Sequence, residues 1–136
     1  MSGLFKSSFN RENSRSSVSK INWQPLIAVP QVEDLQNRSK QSPEKTFLIF
    51  KHSTRCGISA MALRRFEEEW EAIENIELFF LDLIQYRDVS QKIQNHFNVW
   101  HESPQAIVIK NGEVIYHASH SAISAQAISS LLAKTA

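Results

Sequence analysis

The chain has 136 residues, 42% hydrophobic and 21% charged, which is the composition of an ordinary globular protein with room for one domain and its core. Formal net charge is only +1, with Lys6, Arg11, Arg15 and Lys20 set against Glu12 near the start, so there is no broad basic face for nucleic acid. One cysteine excludes an internal disulfide framework, and no apolar run reaches the roughly 18 residues of a membrane span.

Residues 1–20 contain seven serines and little periodicity, which predicts a flexible N-terminal arm; Leu4, Phe5 and Phe9 could form one apolar turn that docks on the domain or a partner. No signal-peptide core is visible there, and the expected location is the cytoplasm. The folded domain is expected over residues 21–136. Trp23, Leu26, Ile27 and Val29 read as its first anchor, with a short edge strand between Pro25 and Pro30. Val32 to Gln41 predicts a modest helix that stops before Ser42-Pro43. Phe47, Leu48, Ile49 and Phe50 then form a short buried strand within 46–51.

A polar turn follows, and a helical pattern begins at Cys56. Ile58, Ala62, Phe66, Trp70 and Ile73 predict one buried stripe, with Arg64, Arg65, Glu67, Glu68, Glu69 and Glu71 on a solvated face. Ile76 to Leu83 is apolar on both faces, as in a strand covered by helices on each side. Asp88 or Ser90 can cap a helix through Val89, Ile93, Phe97 and Val99. Ala106 to Ile109 is a further strand, and Asn111-Gly112 turns it back through Val114, Ile115 and Tyr116. Ser121 opens a last helix with Ile123, Ala127, Ile128, Leu131 and Leu132 inward. Strand–helix–strand demands a parallel pair with a right-handed crossover, whereas the hairpin is antiparallel. The expected fold class is therefore α/β, a mixed four-stranded sheet flanked by helices on both faces. The loop after the first strand of that sheet falls at its carboxyl edge, where ligand sites gather in α/β folds.

That loop carries the chemistry. A strand that delivers Cys56 to the first turn of a helix sets a thiol among unpaired N–H groups and the positive end of the helix dipole, which favour an anion. Thiolate is the form that attacks disulfides. Arg55 beside it and Lys51 nearby add positive charge, and the Ser59 hydroxyl, one turn on, is within reach of the sulfur. The contrary reading is a buried, inert thiol. Gly57 either permits a tight helix start or admits a substrate backbone. His52, Trp100, His101 and Glu102 are expected on loops flanking the cysteine, and His117 and His120 do not form a zinc spacing with one cysteine; no metal is expected.

A strand, a Cys-x-x-Ser opening a helix, a Pro-preceded strand and a hairpin resemble the thioredoxin fold. Within it the chain is most similar to the monothiol redox proteins of the bacillithiol system, the YtxJ-like bacilliredoxins. The matching residues are Ile49-Phe50-Lys51-His52-Ser53-Thr54-Arg55-Cys56-Gly57-Ile58-Ser59 with Met61-Ala62-Leu63, Trp23-x-Pro25-Leu26, Leu81-Asp82-Leu83 with Tyr86-Arg87, and Glu102-Ser103-Pro104-Gln105. The resemblance implies a thioredoxin-like domain and reversible removal of a low-molecular-weight, bacillithiol-like thiol from protein mixed disulfides. Cys56 would be the nucleophile, and Ser103-Pro104 the cis-proline loop facing it. Thr54, Arg55, Gly57 and Ser59 would support the site. The small thiol would be a co-substrate, no cofactor would be tightly bound, and the partners would be thiol-modified proteins, with neither nucleic acid nor membrane. Cys56-Gly57-Ile58-Ser59 also resembles the Cys-Gly-Phe-Ser signature of monothiol glutaredoxins, which implies an iron–sulfur cluster carrier as the alternative. That family's Thr-Val-Pro loop has no counterpart here. A thioredoxin-like interaction module with an incidental cysteine is a third possibility.

Overall fold

The computed structural model describes residues 21–135; the expectations placed on the arm, residues 1–20, lie outside the described residues. In chain order the elements are β1 (Gln24–Pro25), α1 (Pro30–Gln41), β2 (Thr46–His52), α2 (Gly57–Glu69), β3 (Ile76–Asp82), α3 (Arg87–Phe97), β4 (Gln105–Lys110), β5 (Glu113–Ser119), a 3-10 turn (His120–Ala122) and α4 (Ala125–Thr135). The sheet order is β1-β3-β2-β4-β5. β1 and β2 run parallel to β3, while β4 is antiparallel to both β2 and β5.

The sheet thus has five strands where four were expected. The fifth is the short edge strand, expected between Pro25 and Pro30 and found as the two-residue β1, in which Gln24 and Pro25 pair with Phe79 and Phe80 and Leu26 N–H donates to Phe80 O at 2.9 Å. Proline sits on this edge because it has no N–H to give a central ladder. α1 begins at Pro30, two residues earlier than expected, with a proline ring that presets the first helical φ. α4 begins at Ala125 rather than Ser121. Ser124 Oγ accepts from Ala127 N–H at 3.1 Å and takes the capping role, and Ala127 is exposed rather than inward. α3 follows Tyr86 without a side-chain cap and ends at Asn98 in the left-handed conformation.

β2 is buried at all seven positions because both of its faces are covered. Leu48 and Phe50, with Ala106 and Val108 opposite, join Ala62, Phe66, Ile123, Ile128 and Leu132 in the core beneath α2 and α4. Phe47 and Ile49, with Ile109 and Ile107 opposite, join Val32, Leu35, Val89, Ile93 and Phe97 beneath α1 and α3. Alternation along the strand therefore assigns each side chain to one of two cores. α2 is seated by aromatic contacts. Phe66 lies 5.4 Å from both Phe50 and Trp70 and 6.1 Å from Trp23, whose indole N–H donates to Glu67 at 2.7 Å. Phe66→Ala should cost about 3–5 kcal/mol of unfolding free energy in urea; a loss below about 1 kcal/mol would contradict this seating of the helix.

Candidate active site

The carboxyl ends of β2 and β3 and the amino end of β4 meet at one edge of the sheet. His52 is in register with Asp82 and Lys51 with Gln105, so Pro104 and Ser103 continue past the end of β2 on the side of the Ser53–Cys56 turn. Cys56 is the N-terminal cap residue of α2, half-buried, with extended backbone (φ −117°, ψ 121°). Its N–H donates to Ser53 O at 3.2 Å and its carbonyl accepts from Ala60 N–H at 3.1 Å. No side chain caps the helix and no acidic residue stands in its first turn. The orphan N–H groups around the sulfur are left to solvent or to an anion. Thr54 and Arg55 are exposed on the turn. A Cβ built on Gly57 would meet nothing within 4 Å, so the fold leaves open space there.

Ser59, rather than Ile58, begins the buried stripe of α2, which runs Ser59, Ala62, Phe66; Ile58 is 63% exposed. The first turn of α2 lies at the sheet's end, and the inward position there is filled by a small polar residue. Ser59 Oγ accepts from Ser53 N–H at 3.0 Å and pairs with His52 Nδ1 at 2.7 Å. The bond expected from this hydroxyl to the sulfur is not among its contacts: the hydroxyl fixes the turn that carries the cysteine instead. His52 is buried, which pushes its pKa down, while Asp82 and Glu67 pull it back up. Its ring lies 5.6 Å from Phe80.

The Ser103–Pro104 peptide bond is cis, as the resemblance implied. Pro104 is buried, and its carbonyl accepts from His120 N–H at 3.0 Å. The turn before it is tied down at several points. His101 N–H donates to Gln94 at 2.8 Å, Gln105 donates to Trp100 O at 3.0 Å, and the Ser119 hydroxyl donates to Glu102. Ser103 Oγ is buried without a hydrogen-bond partner, an orphan at the cysteine's edge of the sheet. Trp100, on the turn before the cis bond, is 78% exposed.

Sequence reasoning placed Lys51 near the thiol as a source of charge, but its side chain is wholly buried on the α1/α3 side, in line with Phe47 and Ile49. Its Nζ lies 2.6 Å from His101 Nδ1. Lysine only donates, so the imidazole accepts and carries its own proton on Nε2. Burial pulls the Lys51 pKa to about 8. His101 is also lowered, by burial first and then by the Lys51 charge, with Glu102 opposing. The period-2 alternation of the strand was the signal that could have found this. Among the described residues no group of three or more His, Cys, Asp or Glu side chains could hold a metal ion, and no helix is long and apolar enough to cross a membrane.

A parallel β1-β3-β2 unit, an antiparallel hairpin, a cysteine capping the helix after the central strand and a cis-proline at the same edge define the thioredoxin class of fold. Solved structures agree. One, described provisionally as an oxidoreductase with a thioredoxin fold, is 30% identical, with 78% of this chain and 89% of that one covered at a TM-score of 0.65. Thioredoxins from Malassezia sympodialis (16% identity, 86% and 93% covered, TM-score 0.62) and Schistosoma mansoni (20%, 85% and 96%, 0.61) share the fold. The model of the monothiol bacilliredoxin family BrxC matches residues 27–128, and the chain belongs to that family.

Two measurements probe the arrangement. The native state releases the Lys51 proton near pH 8, before the unfolded chain does at 10.5. Stability should therefore rise between those values by up to ~1.4 kcal/mol per pH unit and fall again as pH drops to about 8. Denaturation of Lys51→Met at pH 8 and 10 should lack that component; an unchanged pH slope would show the amine to be solvated. Ser59→Ala leaves Ser53 N–H unpaired, and should lower stability by about 1–3 kcal/mol in the same assay.

Proposed function

We propose that this protein is a monothiol thiol–disulfide oxidoreductase that takes a low-molecular-weight thiol of the bacillithiol type off protein mixed disulfides through Cys56. The observation that carries the reading is a solitary, half-buried cysteine at an uncapped helix N-terminus, at the same sheet edge as a cis-proline. Membership of the monothiol bacilliredoxin family supports thiol redox chemistry. The chemistry has two steps. Cys56 thiolate attacks the small-thiol sulfur of the client's mixed disulfide; the new S–S bond joins Cys56 to that thiol, and the client leaves as its thiolate. A second small thiolate then attacks the Cys56 adduct and departs as the symmetric disulfide, restoring Cys56. Ser59 cannot resolve the adduct as a second cysteine would, so the co-substrate must.

Each supporting residue has a role in this scheme. α2's free N–H groups, with Arg55 and Thr54 on the open turn, receive the incoming disulfide. Gly57 leaves room for the client's backbone. Ser103 and Pro104 form the opposing wall, and Ser103 Oγ is available as a donor or acceptor. The exposed Ile58 and Met61, 63% and 61% accessible, with Trp100 across the edge, offer apolar contact to a client protein. No tightly bound cofactor enters the scheme.

Incubation with a bacillithiolated protein should transfer one small-thiol mass to Cys56, seen by intact mass spectrometry, and Cys56→Ala should acquire none. A glutathionylated substrate run in parallel should react more slowly; equal rates would remove the bacillithiol preference. Absence of any adduct with both would remove the oxidoreductase reading, and activity persisting in Cys56→Ser would favour an interaction module.

A further inference from the structure

The Lys51–His101 contact borders a second feature. A cavity of about 310 Å³ opens between α3 and the Trp100–Glu102 turn, lined by Leu83, Arg87, Ser90, Gln91, Gln94 and His101. That volume is at the lower end of the range for small-molecule sites. The lining supplies a guanidinium, a hydroxyl, two carboxamides and an imidazole, and no carboxylate. Arg87 is exposed and makes no ion pair among the described residues. Of the neighbouring acids, Asp88 accepts from Val89 N–H at 2.8 Å, and Glu102 accepts from Ser119 while its charge still acts on His101.

A second, independent observation is the state of Lys51. Its side chain is wholly buried, and among the described residues no carboxylate pairs with it; its partner is His101, which itself lines the cavity. A buried cation without a counter-charge is one of the costliest arrangements in a protein interior. With His101 Nδ1 accepting from the ammonium, the imidazole keeps an Nε2–H donor polarised by the charge behind it. Ser90 Oγ, 3.4 Å from the same ring nitrogen, closes the group.

We propose that this cavity binds a small carboxylate- or phosphate-bearing anion, held by Arg87 and His101, which supplies the counter-charge that Lys51 lacks. The site shares the sheet's carboxyl edge with Cys56 but lies on the α1/α3 side, whereas Cys56 opens α2 on the other. It stands on the cavity and its charges and does not require the redox chemistry.

The experiment titrates the ¹⁵N-labelled, reduced full-length protein at pH 7 with succinate or with inorganic phosphate, ionic strength being held constant with sodium chloride. Saturable shifts of the Arg87 and His101 signals are expected. Arg87→Gln and Lys51→Met should each weaken binding about tenfold. The exposed Arg87 position keeps the test independent of any folding defect at buried Lys51. Tighter binding of phosphate assigns a phosphorylated ligand, and tighter binding of succinate a carboxylate. Shifts that do not saturate with either anion, or affinities unchanged in both variants, would overturn the proposal.

Discussion

Strand β2 ends in two buried polar side chains that point in opposite directions, and the surroundings of the cysteine are built on that divergence. His52 reaches Ser59 on α2 and Lys51 reaches His101 on the turn before β4. One strand end therefore fixes both walls of the site: the turn that presents Cys56 and the turn that leads into the cis bond. Both contacts are short; the His52–Ser59 one is buried and the Lys51–His101 one buried at the lysine and open at the imidazole, so each would be costly to leave half-made. The aromatic cluster of Trp23, Phe50, Phe66 and Trp70 holds α2 to the sheet but does not reach its first turn. Orientation of the thiol-bearing turn falls to the serine and the histidine.

This division explains the uneven burial of α2. Its middle and end are packed on the sheet, while Ile58 and Met61 near its start are open to solvent. A helix that overhangs a sheet edge presents its first-turn N–H groups freely, a geometry suited to receiving a negative sulfur. The same exposure leaves apolar side chains where an incoming protein would touch, with Trp100 on the facing turn. Family membership and fold place the chain among thiol redox proteins, and this geometry is how such chemistry would be accommodated.

Much of the architecture was legible in the residues. Phe47 to Phe50, the apolar 76–83 segment and Ala106 to Ile109 are strands because β-branched and aromatic runs of that length bury both faces; Asn111 and Gly112 both take positive φ, as a two-residue hairpin turn demands. What escaped was polar burial. The four-residue spacing of Ile58, Ala62, Phe66 and Trp70 suggested a stripe that begins one residue too early, because a buried Ser59 carries no hydrophobic signal. Lys51 was similarly opaque: a charged residue is expected outside, and only its register with Phe47 and Ile49 reveals that it is inside. Ser121 and Ser124 are both acceptable caps, and nothing local selects the second. The cis bond followed from the resemblance, since most X-Pro bonds are trans.

A lone cysteine also changes what oxidation means for this molecule. Two thiols on one scaffold face each other at an effective concentration fixed by geometry, and so own an intrinsic midpoint potential. Cys56 faces no second thiol in its own chain. A mixed disulfide on it would form by exchanging one small disulfide for one small thiol, so its oxidised fraction would follow the small-thiol pool's reduced-to-oxidised ratio alone. Dilution of the pool at a constant ratio would leave that balance unmoved, whereas a dithiol, releasing two small thiols for each disulfide consumed, would shift toward its oxidised form.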